Sequence, residues 1–146
     1  RHIGTTTVSE NTIIGNKAGI VCQSSGPTII KNYITNNGDG IYLNTGSDAM
    51  IGGSFDNRNY IIRNFFNGIY IADTESNPTI NYNNIYENIK YGVFTQITTP
   101  DIDAENNFWG DVSGPGDPAE FGFGPGIGDE VSDGIDYSPW ETAVIP

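Results

Sequence analysis

Acidic side chains are the residues of this chain most readily placed for chemistry. Asp101, Asp103 and Glu105 alternate along one stretch, and Asp129, Glu130, Asp133 and Asp136 crowd a Gly-rich loop. Alternation along an extended segment turns side chains to one face, and calcium takes several oxygen ligands from carboxylates and carbonyls. Each group is therefore a candidate calcium site, and calcium is the one cofactor the sequence suggests. Neither group has the spacing of an EF-hand or of the nine-residue Gly/Asp calcium repeat, so the alternative reading is plain solubilising charge. Glycoside hydrolysis asks for two carboxyl groups at a fixed separation. The chain has 18 acids and no recognisable pair.

Bases are scarcer. Lys17, Lys31, Arg58, Arg63 and Lys90 are those within the repeated part of the chain, and His2 is the single histidine. Gly38-Asp39-Gly40 and Asp73-Thr74-Glu75 read as turns before they read as catalytic groups. Residues 1–100 carry six Lys/Arg against seven Asp/Glu, whereas residues 101–146 carry eleven Asp/Glu and no base, which makes most of the net charge of −12. That balance excludes a nucleic-acid partner and repels acidic polysaccharides from the C-terminal end. Cys22 stands alone, so no internal disulfide is possible, and its place between apolar positions reads as a small buried hydrophobe. No run reaches transmembrane length and no signal peptide is visible. The chain opens on Arg1, which is expected of a processed product or an excised portion, and nothing resembling a capping helix or polar lid precedes Val8.

These groups are carried by a repeat. The phrase Asn-x-Ile/Phe-x-x-Asn/Asp begins at Asn11, Asn32, Asn59, Asn83 and Asn106, at intervals of 21, 27, 24 and 23 residues. Such a period is the signature of a solenoid. In phase with it run Gly19-Ile20, Gly40-Ile41, Gly68-Ile69 and Gly92-Val93, and turn signals follow each pair. Each repeat is expected to hold a strand at the Asn phrase, a turn at the Gly, a second strand and a loop of variable length. Two-residue alternation then assigns faces. Ile20/Cys22, Ile41/Leu43, Ile69/Ile71 and Val93/Thr95 point inward, with Ile13, Ile34, Ile61, Ile85 and Phe108 as a second core ladder. Val21, Tyr42, Tyr70 and Phe94 point outward, and Tyr33 with Tyr60 form a shorter outer row. Stacked rings of this kind can bind sugar faces or a neighbouring molecule, or simply stabilise the sheet. The Asn residues are expected to turn the corners in the left-handed conformation and to bond to one another in register. Five rungs at the usual strand spacing make a rod about 20–25 Å long.

The segment Ile51-Gly52-Gly53-Ser54 with Asn57-Arg58-Asn59-Tyr60-Ile61 resembles the longer coils of the right-handed parallel β-helix (pectate-lyase-like) superfamily, in particular its uncharacterised secreted and cell-surface members. The resemblance extends over roughly residues 8–140. It is sharpest at the end, where Asn106-Asn107-Phe108-Trp109-Gly110, Gly114-Pro115 and Ile135-Asp136-Tyr137-Ser138-Pro139-Trp140 resemble the closing coil and cap of such proteins. It implies an all-β, right-handed parallel β-helix of about five coils over residues 1–111, with an irregular aromatic and acidic C-terminal cap over 112–146. Trp109, Phe121, Phe123, Tyr137 and Trp140 would cover the last coil. The superfamily's lyases use Arg or Lys near bound calcium, and no base here has the matching acids around it. Its hydrolase motifs Asn-Thr-Asp, Asp-Asp, Gly-His-Gly and Arg-Ile-Lys are missing. The expected function is therefore a non-catalytic extracellular or cell-surface structural module. Its open N-terminal end would meet upstream coils or copies of itself, in a filament or in adhesion. The alternative is a polysaccharide-binding or polysaccharide-cleaving module, a lyase or hydrolase fragment.

Overall fold

The computed structural model describes residues 6–96, 100–116 and 126–146. Its strands stack in parallel as three four-stranded sheets, forming a right-handed solenoid of triangular section. The first sheet holds β1 (Thr7–Ser9), β4 (Thr28–Ile30), β7 (Met50–Gly52) and β10 (Thr79–Asn81). The second holds β2 (Thr12–Ile14), β5 (Tyr33–Thr35), β8 (Tyr60–Ile62) and β11 (Asn84–Tyr86). The third holds β3 (Ala18–Gln23), β6 (Asp39–Asn44), β9 (Ile69–Ile71) and β12 (Val93–Thr95). His2 lies outside the described residues, as do Phe121 and Phe123.

The assigned faces hold except at Phe108. Ile41, Leu43, Ile69, Ile71 and Val93 are wholly buried along the third sheet, and Ile34, Ile61 and Ile85 along the second. Cys22 is buried, and burial pushes its thiol up to about 11, as suits an inert core residue. The first sheet is a side the repeat phrases did not mark: Val8, Ile29, Ile51 and Ile80 stack there in register. Its strands fall where the sequence suggested variable loop, because three residues suffice for a rung buried on one face.

Two ladders of Asn side chains hold the corners. Asn11, Asn32, Asn59, Asn83 and Asn107 form the first, each amide donating to the Oδ1 of the next at 2.8–3.1 Å. Asn16, Asn37, Asn64 and Asn88 form the second, at 2.9–3.2 Å. The ladder residues do not themselves turn the chain left-handed, as the sequence suggested. The residue before each usually does, as at Glu10 (φ 60), Lys31 (φ 58), Arg63 (φ 54) and Glu87 (φ 60). That leaves the Asn free to point inward, where its amide replaces backbone pairing that a corner cannot make. Where the chain enters the third sheet, Gly19, Gly40 and Gly68 stack so closely that an added Cβ would lie 2.5–2.6 Å from the next glycine's carbonyl oxygen.

The fifth phrase enters one residue out of phase. Asn107, not Asn106, continues the ladder, and Phe108 pairs with Asn84. Trp109 therefore takes the core rung above Ile85, and Phe108 faces outward, because Asn106 (φ 63) is spent on the corner. The cap is more regular than its composition suggests. Its described part makes a further circuit, with Val131 on Val93, β16 (Ile135–Asp136) on β13 (Ile102–Asp103), and Glu141 on Phe108. A short pair, β14 (Pro115–Gly116) with β15 (Gly128–Glu130), opens that circuit. Asp129 of β15 closes the second ladder by accepting the Asn88 amide at 2.8 Å and its backbone N–H at 3.1 Å.

Candidate functional site

The aromatic row on the third sheet is real and continuous. Tyr42 and Tyr70 meet edge to face at 5.4 Å between centroids, and Tyr70 and Phe94 at 5.6 Å. Beside them runs a groove of about 390 Å³, with Phe66, Asn67, Lys90, Tyr91 and Asp39 as its wall. The wall comes from an extra residue. Two residues separate ladder Asn from glycine in Asn16-Lys17-Ala18-Gly19, but three do in Asn64-Phe65-Phe66-Asn67-Gly68 and Asn88-Ile89-Lys90-Tyr91-Gly92. The longer corners bulge beside the sheet, and their first residues, Phe65 and Ile89, are exposed.

The polar groups of that wall are partly committed. Asp39 Oδ1 accepts both the backbone N–H and the side-chain amide of Asn67 at 3.1 Å. Lys90 holds its ammonium 5.5 Å over the Phe66 ring, a cation–π contact. Asn67 Oδ1 is buried with no hydrogen-bond partner. Aromatic faces along an open groove fit a polyhydroxylated ring, whose apolar C–H faces stack against them. The repeat phrases placed Tyr42, Tyr70 and Phe94, but the wall went unread. The count of residues between ladder Asn and glycine is the signal that finds it.

The shorter row also forms, with Tyr33 and Tyr60 5.9 Å apart on the second sheet. Above Tyr60 the face is covered by the C-terminal tail: Asn84 and Ile145 exchange two hydrogen bonds, and the Tyr60 hydroxyl donates to the Ile145 carbonyl at 3.3 Å.

The acidic candidates regroup. Asp103 and Asp136 are register neighbours on β13 and β16, and Glu105 lies beside both. Desolvation, then the Asp136 and Asp103 charges, push the Glu105 carboxyl up. Asp103 Oδ1 is occupied by the Asn81 amide at 2.9 Å and the Glu105 N–H at 3.2 Å. Asp101, Glu130 and Asp133 are exposed. Asp129 is removed from its sequence neighbours by its ladder role, and burial pushes its carboxyl up to about 6 against the Asn88 hydrogen bonds that favour the charge. Among the described residues, no three acids, histidines or cysteines converge as metal ligands. No helix among them is long and apolar enough to cross a membrane.

The model of the family described as the right-handed beta helix region matches residues 2–108, and the chain belongs to that family. No curated protein and no solved structure matches it.

Proposed function

We propose that this β-helix is a non-catalytic structural module of the extracellular space or cell surface, docking axially through its first coil. The difference between its two ends carries the reading. At the C-terminal end Trp109, Val131 and Ile135 fill the core and Asp129 terminates a ladder. At the other end Val8, Ile13 and Ile20 are only partly buried. Each later ladder Oδ1 accepts a backbone and a side-chain N–H from the coil before it, as Asn32 does from Asn11 at 3.1 Å. Among the described residues, nothing supplies those donors to Asn11 and Asn16. A further coil from an upstream segment would satisfy acceptors, strand edges and core together, and the first coil of another copy would cover the strand edges and core. The closed C-terminal end argues for a terminated rod or an end-to-end pair over an open head-to-tail filament. Light scattering over a concentration series tests this. The isolated chain should pair, and Ile20→Lys on the open core face should keep it monomeric. Equal behaviour of the two proteins would sink the proposal.

A second reading, polysaccharide binding, is favoured by the groove that the Tyr70 and Phe94 rings line together with Phe66 and Lys90. Tyr70→Ala should abolish retention on neutral glycans while leaving the fold intact. Unchanged retention would exclude the groove.

A further inference from the structure

Exposed apolar side chains gather at the corner between the second and third sheets, where Phe65, Phe66 and Ile89 are 55%, 50% and 69% exposed. Contiguous apolar surface of this kind marks contact with another molecule. Backbone hydrogen bonds stack the corner in register from coil to coil. The Asp39 N–H donates to Lys17, that of Phe66 to Gly38, that of Lys90 to Phe66 and that of Gly92 to Glu130. In ascending order, the residues just after the second ladder are Lys17, Gly38, Phe65, Ile89 and Glu130. Those that follow in the middle three coils are Asp39, Phe66 and Lys90. Turned end over end, this order meets its own complement. Phe65 and Phe66 return to themselves. Ile89, on a projecting corner of three residues, meets Gly38, which has no side chain and sits on a corner of two. Lys90 meets Asp39, and Lys17 meets Glu130.

We propose that this corner pairs with the same corner of a second copy, the two rods lying antiparallel about a two-fold axis at the Phe65 coil. Such a contact is isologous, so each complementary pair is made twice. Parallel pairing would instead set Lys17, Asp39 and Lys90 each against its own kind. Asp39 has capacity to spare, because its hydrogen bonds from Asn67 reach only Oδ1. Among the described residues neither Asp39 nor Lys90 forms an ion pair. Arg63, which the axis would set against its own counterpart, is already neutralised by Glu87 at 2.8 Å. The eleven acids of residues 101–146 fall at opposite ends of the pair, as their mutual repulsion requires. A corner is narrow, so the contact is weak and forms only above the concentrations at which axial docking is read. It is independent of that docking, since it uses the side of the rod and not the end of its core.

The test is sedimentation equilibrium on the Ile20→Lys variant, in which axial docking is blocked and the side contact is read alone. It should dimerise with a Kd on the order of 0.1–1 mM, and raised salt should weaken the dimer. In that background Phe65→Glu and Phe65→Lys should each stay monomeric, because like charges meet across the axis. An equimolar mixture of the two should recover the dimer, since Phe65 faces its own counterpart only in the antiparallel arrangement at this coil. Lys90→Glu should weaken pairing at least about ten-fold by opposing Asp39. Both positions are exposed, so the fold should survive each change. A monomer at every concentration, a mixture no better than its components, or full affinity with Lys90→Glu would each overturn the proposal. Monomers that float with phosphatidylcholine vesicles would overturn it too, and would assign the apolar corner to a lipid surface. Axial docking stands or falls separately, on the comparison of the parent chain with Ile20→Lys.

Discussion

The Asn ladders hold the solenoid together only if a central rung matters far more than an end one. Asn59 is wholly buried. Its Oδ1 accepts the backbone N–H of Asn32 at 2.9 Å and the Asn32 amide at 3.1 Å, while its own amide donates to Asn83 Oδ1 and to the Ile29 carbonyl, both at 2.8 Å. Asn59→Ala removes the Asn32 N–H's acceptor and a donor to Ile29. The Asn32 amide keeps the Ile30 and Val8 carbonyls, and Asn83 Oδ1 keeps the Asn59 N–H at 3.2 Å. Two buried groups losing partners at about 1–3 kcal/mol each gives a loss of about 4 kcal/mol. Against a typical stability of about 5–15 kcal/mol, that is a large fraction. Asn11→Ala, on an exposed end rung whose amide reaches only the Ser9 carbonyl and Asn32 Oδ1, should lose about 1 kcal/mol. Urea denaturation at neutral pH measures both, provided the slopes agree. An Asn59 variant within about 1 kcal/mol of the parent, or an Asn11 variant equally damaged, would refute the ladder argument.

Other outcomes follow from single contacts. Asp129 has a folded-state value of about 6, above the ordinary 3.8. Its contribution is therefore full below about pH 4 and is lost as pH rises through 6, by about 3 kcal/mol. Asp129→Asn keeps the acceptor and should flatten the stability profile between pH 4 and 6; an unchanged profile there rejects the assignment. Gly40→Ala would place a Cβ 2.5 Å from the Gly68 carbonyl oxygen and should lower stability by about 1–3 kcal/mol, read as a fall in thermal midpoint. Glu87→Gln breaks the ion pair with Arg63, but both side chains are more than half exposed, so stability should move by less than about 1 kcal/mol. A larger fall would mean that this corner is more buried than described.

What the sequence disclosed depended on period. Residues repeating with the coil, such as Tyr42, Tyr70 and Phe94 or Ile41 and Ile69, could be placed on a face because register fixes their neighbours. The first sheet was hidden because Ile51 stands eight residues before its ladder Asn, while Ile29 and Ile80 stand three before theirs. The turn at Phe55–Asn57 intervenes and breaks the spacing. The slip at Asn106 was invisible because two asparagines in a row satisfy the phrase equally, and only the size of Trp109 decides which register fills the core. Asp129 closes its ladder from 41 residues beyond Asn88, a pairing that no local pattern encodes.

The most direct test of the account is electron microscopy of the native material, with calcium and with chelator. Axial docking through the first coil predicts rods of twice the single-solenoid length, each with two closed ends and unchanged by chelator, because the acidic candidates lie away from that contact. Single short rods under every condition, or long filaments joining first coil to cap, would contradict it.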